Sequence, residues 1–340
     1  MYHLNRFLFF RRYMISIKDI AIKANVSTAT VSKALNNRKD ISLETRERIK
    51  RIANEMGYIA DSSARALRTR KTYNIGVVFS DDYEGLTNAY YSKILEAFKN
   101  EAEKNGYNIS FVSNENENSI SYVNYCEKRN FDGVAIINTD YTKENVRELI
   151  DSDIPLVTLD GNFENCISVL SDNLSGITKI VDYAVSMGHK KIAFIHGQDS
   201  QTTSNRLAGF YEAIKRHKLN IPDEYVIDGT YYYARPVLEG IEELSKLDDP
   251  PTCVLVPDDY SAMAIKSLDL DRKYNISYAG FDGLRITRAL KIATYEQNTM
   301  ALGRTAARKL IELIEYPDMT KEHIIVPGKL IEGDSIKRIK

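Results

Sequence analysis

Residues Ile17–Asn36 read IKDIAIKANVSTATVSKALN. Ser16 with Asp19 three positions on forms a capping-box-like start, and Ile17, Ile20, Ala21 and Ala24 recur at helical spacing, which predicts a first helix with one apolar face. Asn25 tolerates the left-handed backbone of a tight turn, Val26 anchors that turn, and Ser27 is a good N-cap for a second helix from Thr28 to about Leu35. Val31, Ala34 and Leu35 are expected to bury this helix and leave Thr28, Ala29, Ser32 and Lys33 outward. A third helix runs from Ser42 through Ile49, Ile52 and Met56 to Gly57. The outer face of the second helix carries almost no bulk, which is what entry into a DNA major groove requires, because large side chains would hold the backbone away from the bases. Ser27, Thr30, Ser32 and Asn36 suit phosphate oxygens. Thr28, Ala29 and Lys33 suit base edges, with Lys33 the reader of guanine. A helix-turn-helix pattern alone is cheap, and a plain helical hairpin would share it.

The charge distribution favours the DNA reading. Between Met14 and Tyr73 there are 13 Lys and Arg against 6 Asp and Glu, and Arg6, Arg11 and Arg12 bring residues 1–73 to +10. A net charge of −1 for the 340 residues leaves −11 on the remainder. A basic head on an acidic body points to a polyanion partner for the head alone. Asp61–Lys71, DSSARALRTRK, opens on a cap residue and carries Arg65, Arg68, Arg70 and Lys71 around Leu67. So short a helix is marginal in water, and the expectation is coil off DNA and helix on it, with Leu67 wedged between minor-groove base steps.

Residues 1–13 contain a short apolar clump, far below a membrane span and without a small-residue cleavage site, so they read as an unstructured extension ahead of a start at Met14. Cys126, Cys166 and Cys253 are odd in number and far apart, which fits buried reduced thiols in a cytoplasmic protein.

Beyond Tyr73 short apolar strands alternate with helices: Asn74–Phe79, Tyr107–Val112, Gly133–Ile137 and Pro155–Leu159, then a restart after Gly188 with Lys191–His196, Cys253–Val256 and Ile276–Phe281. Such alternation builds parallel, doubly wound sheets, here in two lobes with a cleft between them. Ligands of such sheets sit beyond the carboxyl ends of strands. The polar residues there are Asp172, Asp258 and Asp282, with Arg206 at a helix start; carboxylates accept from hydroxyls and arginine donates to oxygens. Aspartates after strands also cap the next helix, and Asp172, standing before Leu174–Met187, could do only that.

IKDIAIKANVSTATVSKALN, ISLETRERIKRIANEMGYIADSSARALR, NIGVVF, FDGVAII, IPLVTLD, SDNLSGITKIVDYAVSMGHKKIAFIHG, SNRLAGF, VPDDYSAMAI and ISYAGFDG occur in that order. From Met14 to about Ser335 the chain resembles the LacI/GalR family of bacterial transcription regulators. The resemblance implies an all-α head over 14–60, a hinge helix over 61–73 and a two-lobed α/β periplasmic-binding-protein-like body over 74–340. The lobes would be 74–188 with 298–322, and 189–297 with 323–340. It places Ser16 and Ile17 where the first helix meets the operator, Leu67 with Ala64 and flanking Arg65 and Arg68 at the hinge, and Asp172, Arg206, Asp258 and Asp282 at effector-contacting positions, with Tyr231 stacking on the ligand. Ala60 stands where the family has proline, Asn25 for the turn glycine, Lys33 for a frequent arginine, Asp258 for a common asparagine and Gly333 for an arginine. The implied protein is a homodimeric repressor of a palindromic operator, controlled by a small effector, a sugar or sugar derivative. It needs no cofactor, metal, catalytic residue or membrane. A purine or a phosphocarrier protein as effector, or a sugar receptor without a DNA role, are the alternatives; the last leaves residues 16–71 unexplained.

Overall fold

The structure is a computed structural model and describes residues 15–35, 37–38, 40–58, 71–80, 85–112 and 121–339. Asn36, Ala60, Ala64, Arg65, Leu67 and Arg68, the 1–13 extension and most of the expected hinge helix lie outside the described residues. The chain divides into two compact units, Met1–Thr72 and Tyr73–Lys340.

The first unit holds α1 (Ile17–Ala24), α2 (Thr28–Leu35) and α3 (Leu43–Glu55). Ser16 and Asp19 close a complete capping box: Asp19 Oδ2 accepts from the Ser16 backbone N–H at 2.7 Å, and Ser16 Oγ accepts from the Asp19 N–H at 3.3 Å. Asn25 takes the left-handed turn at φ 51°. Ile20, Ala24, Val31, Ala34, Ile49 and Ala53 form the core between the helices. Arg48 ties α3 to the end of α1 by donating to the Ala24 carbonyl at 3.1 Å.

The second unit contains two six-stranded sheets. The N-lobe contributes β1 (Asn74–Phe79), α4 (Ala89–Lys104), β2 (Asn108–Val112), α5 (Tyr122–Arg129), β3 (Gly133–Asn138), α6 (Glu144–Ile150), β4 (Leu156–Leu159) and β5 (Ile167–Ser171). The C-lobe follows with α7 (Asn173–Ser186), β6 (Ile192–His196), α8 (Gln201–Arg216), β7 (Val226–Asp228), α9 (Ala234–Leu244), β8 (Cys253–Leu255), α10 (Asp259–Ser267), α11 (Leu270–Lys273), β9 (Ser277–Asp282), α12 (Arg285–Ala289) and β10 (Ala293–Glu296). The chain then returns through α13 (Thr299–Glu315) and β11 (His323–Val326) and ends on β12 (Lys329–Ile331). The strand orders are β11-β5-β4-β3-β1-β2 and β12-β10-β9-β8-β6-β7. Every pairing is parallel except that of β10 with β12. The central strands β3, β4, β6 and β8 are buried along their whole length and read as apolar runs, the pattern of parallel sheets covered on both faces.

Two of the expected crossings between lobes are displaced. The first lies at Asp172 rather than near Gly188, because Ile177, Ile180, Val181 and Ala184 of α7 pack with Ile192 and Phe194 in the C-lobe core. The last lies at Pro327–Gly328 rather than near His323, because β11 pairs with β5 and only β12 joins the C-lobe sheet. The middle crossing falls at Gln297–Asn298, between β10 and α13.

Helix α13 lies directly on α4, with Leu302, Ala306 and Leu310 buried against Ile94 and Phe98. Gly303 makes this approach feasible: a Cβ there would overlap the Ile94 carbonyl and come within 2.8 Å of the Phe98 amide nitrogen. Backbone atoms cannot yield as a flexible side chain would, so Gly303→Ala is expected to destabilise the body by about 1–3 kcal/mol through overpacking, read as a lower urea midpoint with an unchanged slope.

Candidate functional sites: a DNA-reading face and an interlobe cleft

On the head, Thr28, Ala29 and Lys33 are exposed on one side of α2, and Val31 and Ala34 are buried on the other. Ser27 and Thr30 partly satisfy one another: Ser27 Oγ accepts from the Thr30 N–H at 3.1 Å and lies 2.9 Å from Thr30 Oγ1. Ser16 Oγ likewise donates to Asp19 at 2.7 Å. These hydroxyls cap helices first, so any phosphate contact from them is an additional bond. Ser32 and Ile17 are half-buried. Lys33 has a partner that the sequence did not suggest: its Nζ donates to Asp40 Oδ2 at 2.7 Å.

In the body, a cavity of about 920 Å³ opens between the lobes. Its lining comes from segments that follow the carboxyl ends of β3, β4, β6, β7 and β10, with the start of α4, where parallel sheets place their ligands. The wall is rich in tyrosine. Tyr91 of the N-lobe meets Tyr232 of the C-lobe with ring centroids 5.9 Å apart, Tyr90 lies 5.0 Å from Tyr91, and Tyr141 packs on Phe163 at 5.3 Å.

Arg206 and Tyr231 line this cavity. Helix α8 begins at Gln201, so Arg206 sits in its second turn rather than at its start. The buried guanidinium is locked: Nε donates to Asn173 Oδ1 at 2.8 Å, Nη1 donates to the Pro257 carbonyl at 2.6 Å, and the Phe281 ring lies 3.7 Å beneath it. Neither bond uses Nη2. The Tyr231 ring lies over Gly197, where any Cβ would overlap it, and its hydroxyl pairs with Thr203 at 3.0 Å.

The three aspartates divide. Asp172 caps α7, accepting from the Ser175 N–H at 3.1 Å, and Asp258 caps α10, accepting from Ser261 at 2.8 Å and from the Tyr232 N–H at 2.5 Å. Neither lines the cavity, so both contribute by holding the backbone around it. Asp282 lies one layer behind the wall at the end of β9, at a strained φ of 126°. Its Oδ1 accepts from Gln297 Nε2 at 2.7 Å, and its buried Oδ2 has no hydrogen-bond partner. Gln297 Oε1 lies 3.1 Å from the Tyr90 hydroxyl, which is also 3.2 Å from Asp160 Oδ2; one phenolic proton serves one acceptor at a time. A polar relay thus spans the lobes from Asp282 to Asp160. The Ala89 N–H adds a second link by donating to the Tyr260 hydroxyl at 3.1 Å.

Sequence reasoning missed Asp160, Tyr91, Tyr232, Arg147 and Gln297. Asp160 satisfies the same rule that selected Asp282, an acid directly after a strand, and Tyr232 adjoins Tyr231. Gln297 was hidden because β10 was not read as a strand.

Two family models match the chain. Residues 16–61 match bacterial regulatory proteins of the lacI family, and residues 181–336 match a periplasmic binding protein-like domain. A probable HTH-type transcriptional repressor ExuR of Bacillus subtilis is 27% identical over 339 residues, covering 96% of this chain and 99% of its own. An HTH-type transcriptional repressor PurR of Vibrio vulnificus is 26% identical over 339 residues, covering 96% of this chain and 100% of its own. Among solved structures, a lac repressor dimer bound to operator and the anti-inducer ONPF superposes with a TM-score of 0.71 at 23% identity, covering 95% of this chain and 99% of that one. A reading head followed by a two-lobed binding body defines a DNA-binding transcription regulator rather than an enzyme. The DNA-binding head, residues 16–61, belongs to the lacI family of bacterial regulatory proteins. Among the described residues, no helix is long and apolar enough to cross a membrane.

Burial, with Asp259 and Asp258 nearby, pushes the Asp282 carboxyl well above the usual carboxylate range, and Arg206 offsets only part of this. A carboxyl raised in the folded state holds its proton more tightly there than when unfolded. Its contribution to stability is therefore fully present below the unfolded value of about 4 and is lost as pH rises. Asp282→Asn, a permanently neutral isostere, is expected to flatten the fall in denaturation midpoint of the wild type between pH 4.5 and 7.5.

Proposed function

We propose that this protein is a cytoplasmic homodimeric repressor that binds a palindromic operator through α2 and answers to a sugar or sugar derivative held between the lobes of its body. The observation that carries the effector class is the wall of the 920 Å³ cavity. Its tyrosine faces suit the apolar faces of a sugar ring, and the open nitrogen of Arg206 and the oxygens of Asp160 and Gln198 suit hydroxyls. The volume lies in the range of small-molecule sites. Tyr91 and Tyr232, which meet across the cleft at 5.9 Å with their planes tilted by 58°, would also offer aromatic faces to a flat purine, and this is the second reading the geometry supports.

Asp172, Arg206, Tyr231, Asp258 and Asp282 then form the effector-responsive set, with Arg206 and Tyr231 in contact and the aspartates positioning. Ser16, Ile17, Ser27, Thr28, Ala29, Thr30, Ser32, Lys33 and Asn36, together with Ala64, Arg65, Leu67 and Arg68 of the hinge, form the DNA-binding set. Effector binding shifts the balance between lobe arrangements, and the resulting coupling free energy is reciprocal: an inducer that weakens DNA binding must itself be weakened by operator DNA.

A thermal-shift screen of sugars, uronic acids and nucleobases identifies the effector. Arg206→Ala should lose the shift and the effector response while keeping DNA affinity; a retained response would remove the cleft assignment. Lys33→Ala should keep the shift, cost about 1–3 kcal/mol at the preferred duplex and relax preference at one base position. An equal loss on random-sequence DNA would contradict a reading role for Lys33.

A further inference from the structure

The ion pair on the reading face is built rather than incidental. Lys33, the only cationic side chain of α2, places Nζ 2.7 Å from Asp40 Oδ2. Asp40 lies in the connection between α2 and α3, and that connection is fixed from two other directions. Arg46 of α3 donates through Nη2 to the carbonyls of Arg38 at 2.9 Å and Ile41 at 3.3 Å, on either side of Asp40. The Arg38 N–H in turn donates to the Lys33 carbonyl at 3.0 Å. The carboxylate is thus delivered to the lysine by a constrained loop. Lys33, with Arg38 beside it, holds the Asp40 carboxyl below its ordinary range, so the acid is charged wherever DNA is bound. Both side chains are about half exposed, which leaves either free to exchange partners with a duplex.

We propose that Asp40 is a specificity-determining residue of the DNA interface, a carboxylate that occupies Lys33 until a matching base displaces it. This inference rests on the reading of Lys33 as a base contact. On random DNA the lysine has two competing anions, the phosphates and Asp40, and the paired state adds no cation to the interface. At a matching guanine, O6 and N7 add two acceptors at a fixed, base-specific position in the groove, which phosphates do not supply, and Lys33 leaves the carboxylate. Asp40 thereby penalises non-specific binding more than specific binding and widens the ratio between them, which is the quantity that counts against an excess of competing sites.

The test uses the full-length protein, a duplex enriched from a random library by the wild type, and a random-sequence duplex of equal length. Asp40→Asn removes the charge and keeps the shape at an exposed position. It should tighten random-duplex binding by about tenfold and steepen its salt dependence by about 0.9 in log–log slope, the signature of one more neutralised phosphate. The enriched duplex should gain threefold or less. In a Lys33→Ala background, Asp40→Asn should leave the random-duplex slope unchanged. Equal tightening on both duplexes, or an unchanged slope in the wild-type background, would mean that Asp40 merely repels DNA, and would overturn the proposal. Failure of the underlying reading looks different: Lys33→Ala alone would then leave the preference for the enriched duplex intact.

Discussion

The body is organised around the polar relay that joins its lobes. Asp282, Gln297, Tyr90 and Asp160 are contributed by elements far apart in sequence, and their hydrogen bonds meet where the chain crosses between lobes. A polar group buried without a partner is costly, so such a relay favours the one lobe arrangement that satisfies it. It is also incomplete, since one oxygen of Asp282 has no partner. A relay satisfied at most of its positions holds the lobes in register and leaves one buried acceptor open.

The cleft of the body and the face of the head hold their cations differently. In the cleft, Arg206 is fixed by two hydrogen bonds and an aromatic face, so little freedom remains to be lost when a ligand arrives. On the head, Lys33 is held only by an exposed ion pair, a kind of interaction worth little in stability. The first arrangement is buried and rigid, and the second is exposed and loosely held.

How much of this could be read in the residues depended on the range of the interactions. Local signals were sufficient for the head: the capping box at Ser16, the left-handed Asn25 and the apolar faces of the helices all depend on neighbours within a turn. Buried strands were legible as apolar runs, and β1 begins and ends at the expected residues. Short or edge strands such as β7 and β12 were not, because pairing rather than composition defines them. The placement of α7 in the C-lobe depends on contacts between distant segments. So does the pairing of Lys33 with Asp40, which a loop of unremarkable composition delivers.

The aromatic character of the cleft has a practical side. The chain contains 22 tyrosines and no tryptophan, so its native ultraviolet emission arises from phenols alone. A single indole introduced at Tyr91 or Tyr232 would be the sole fluorophore of its kind in the molecule, excitable at wavelengths where tyrosine is dark. Occupancy of the chamber could then be followed optically, in real time and without a dye.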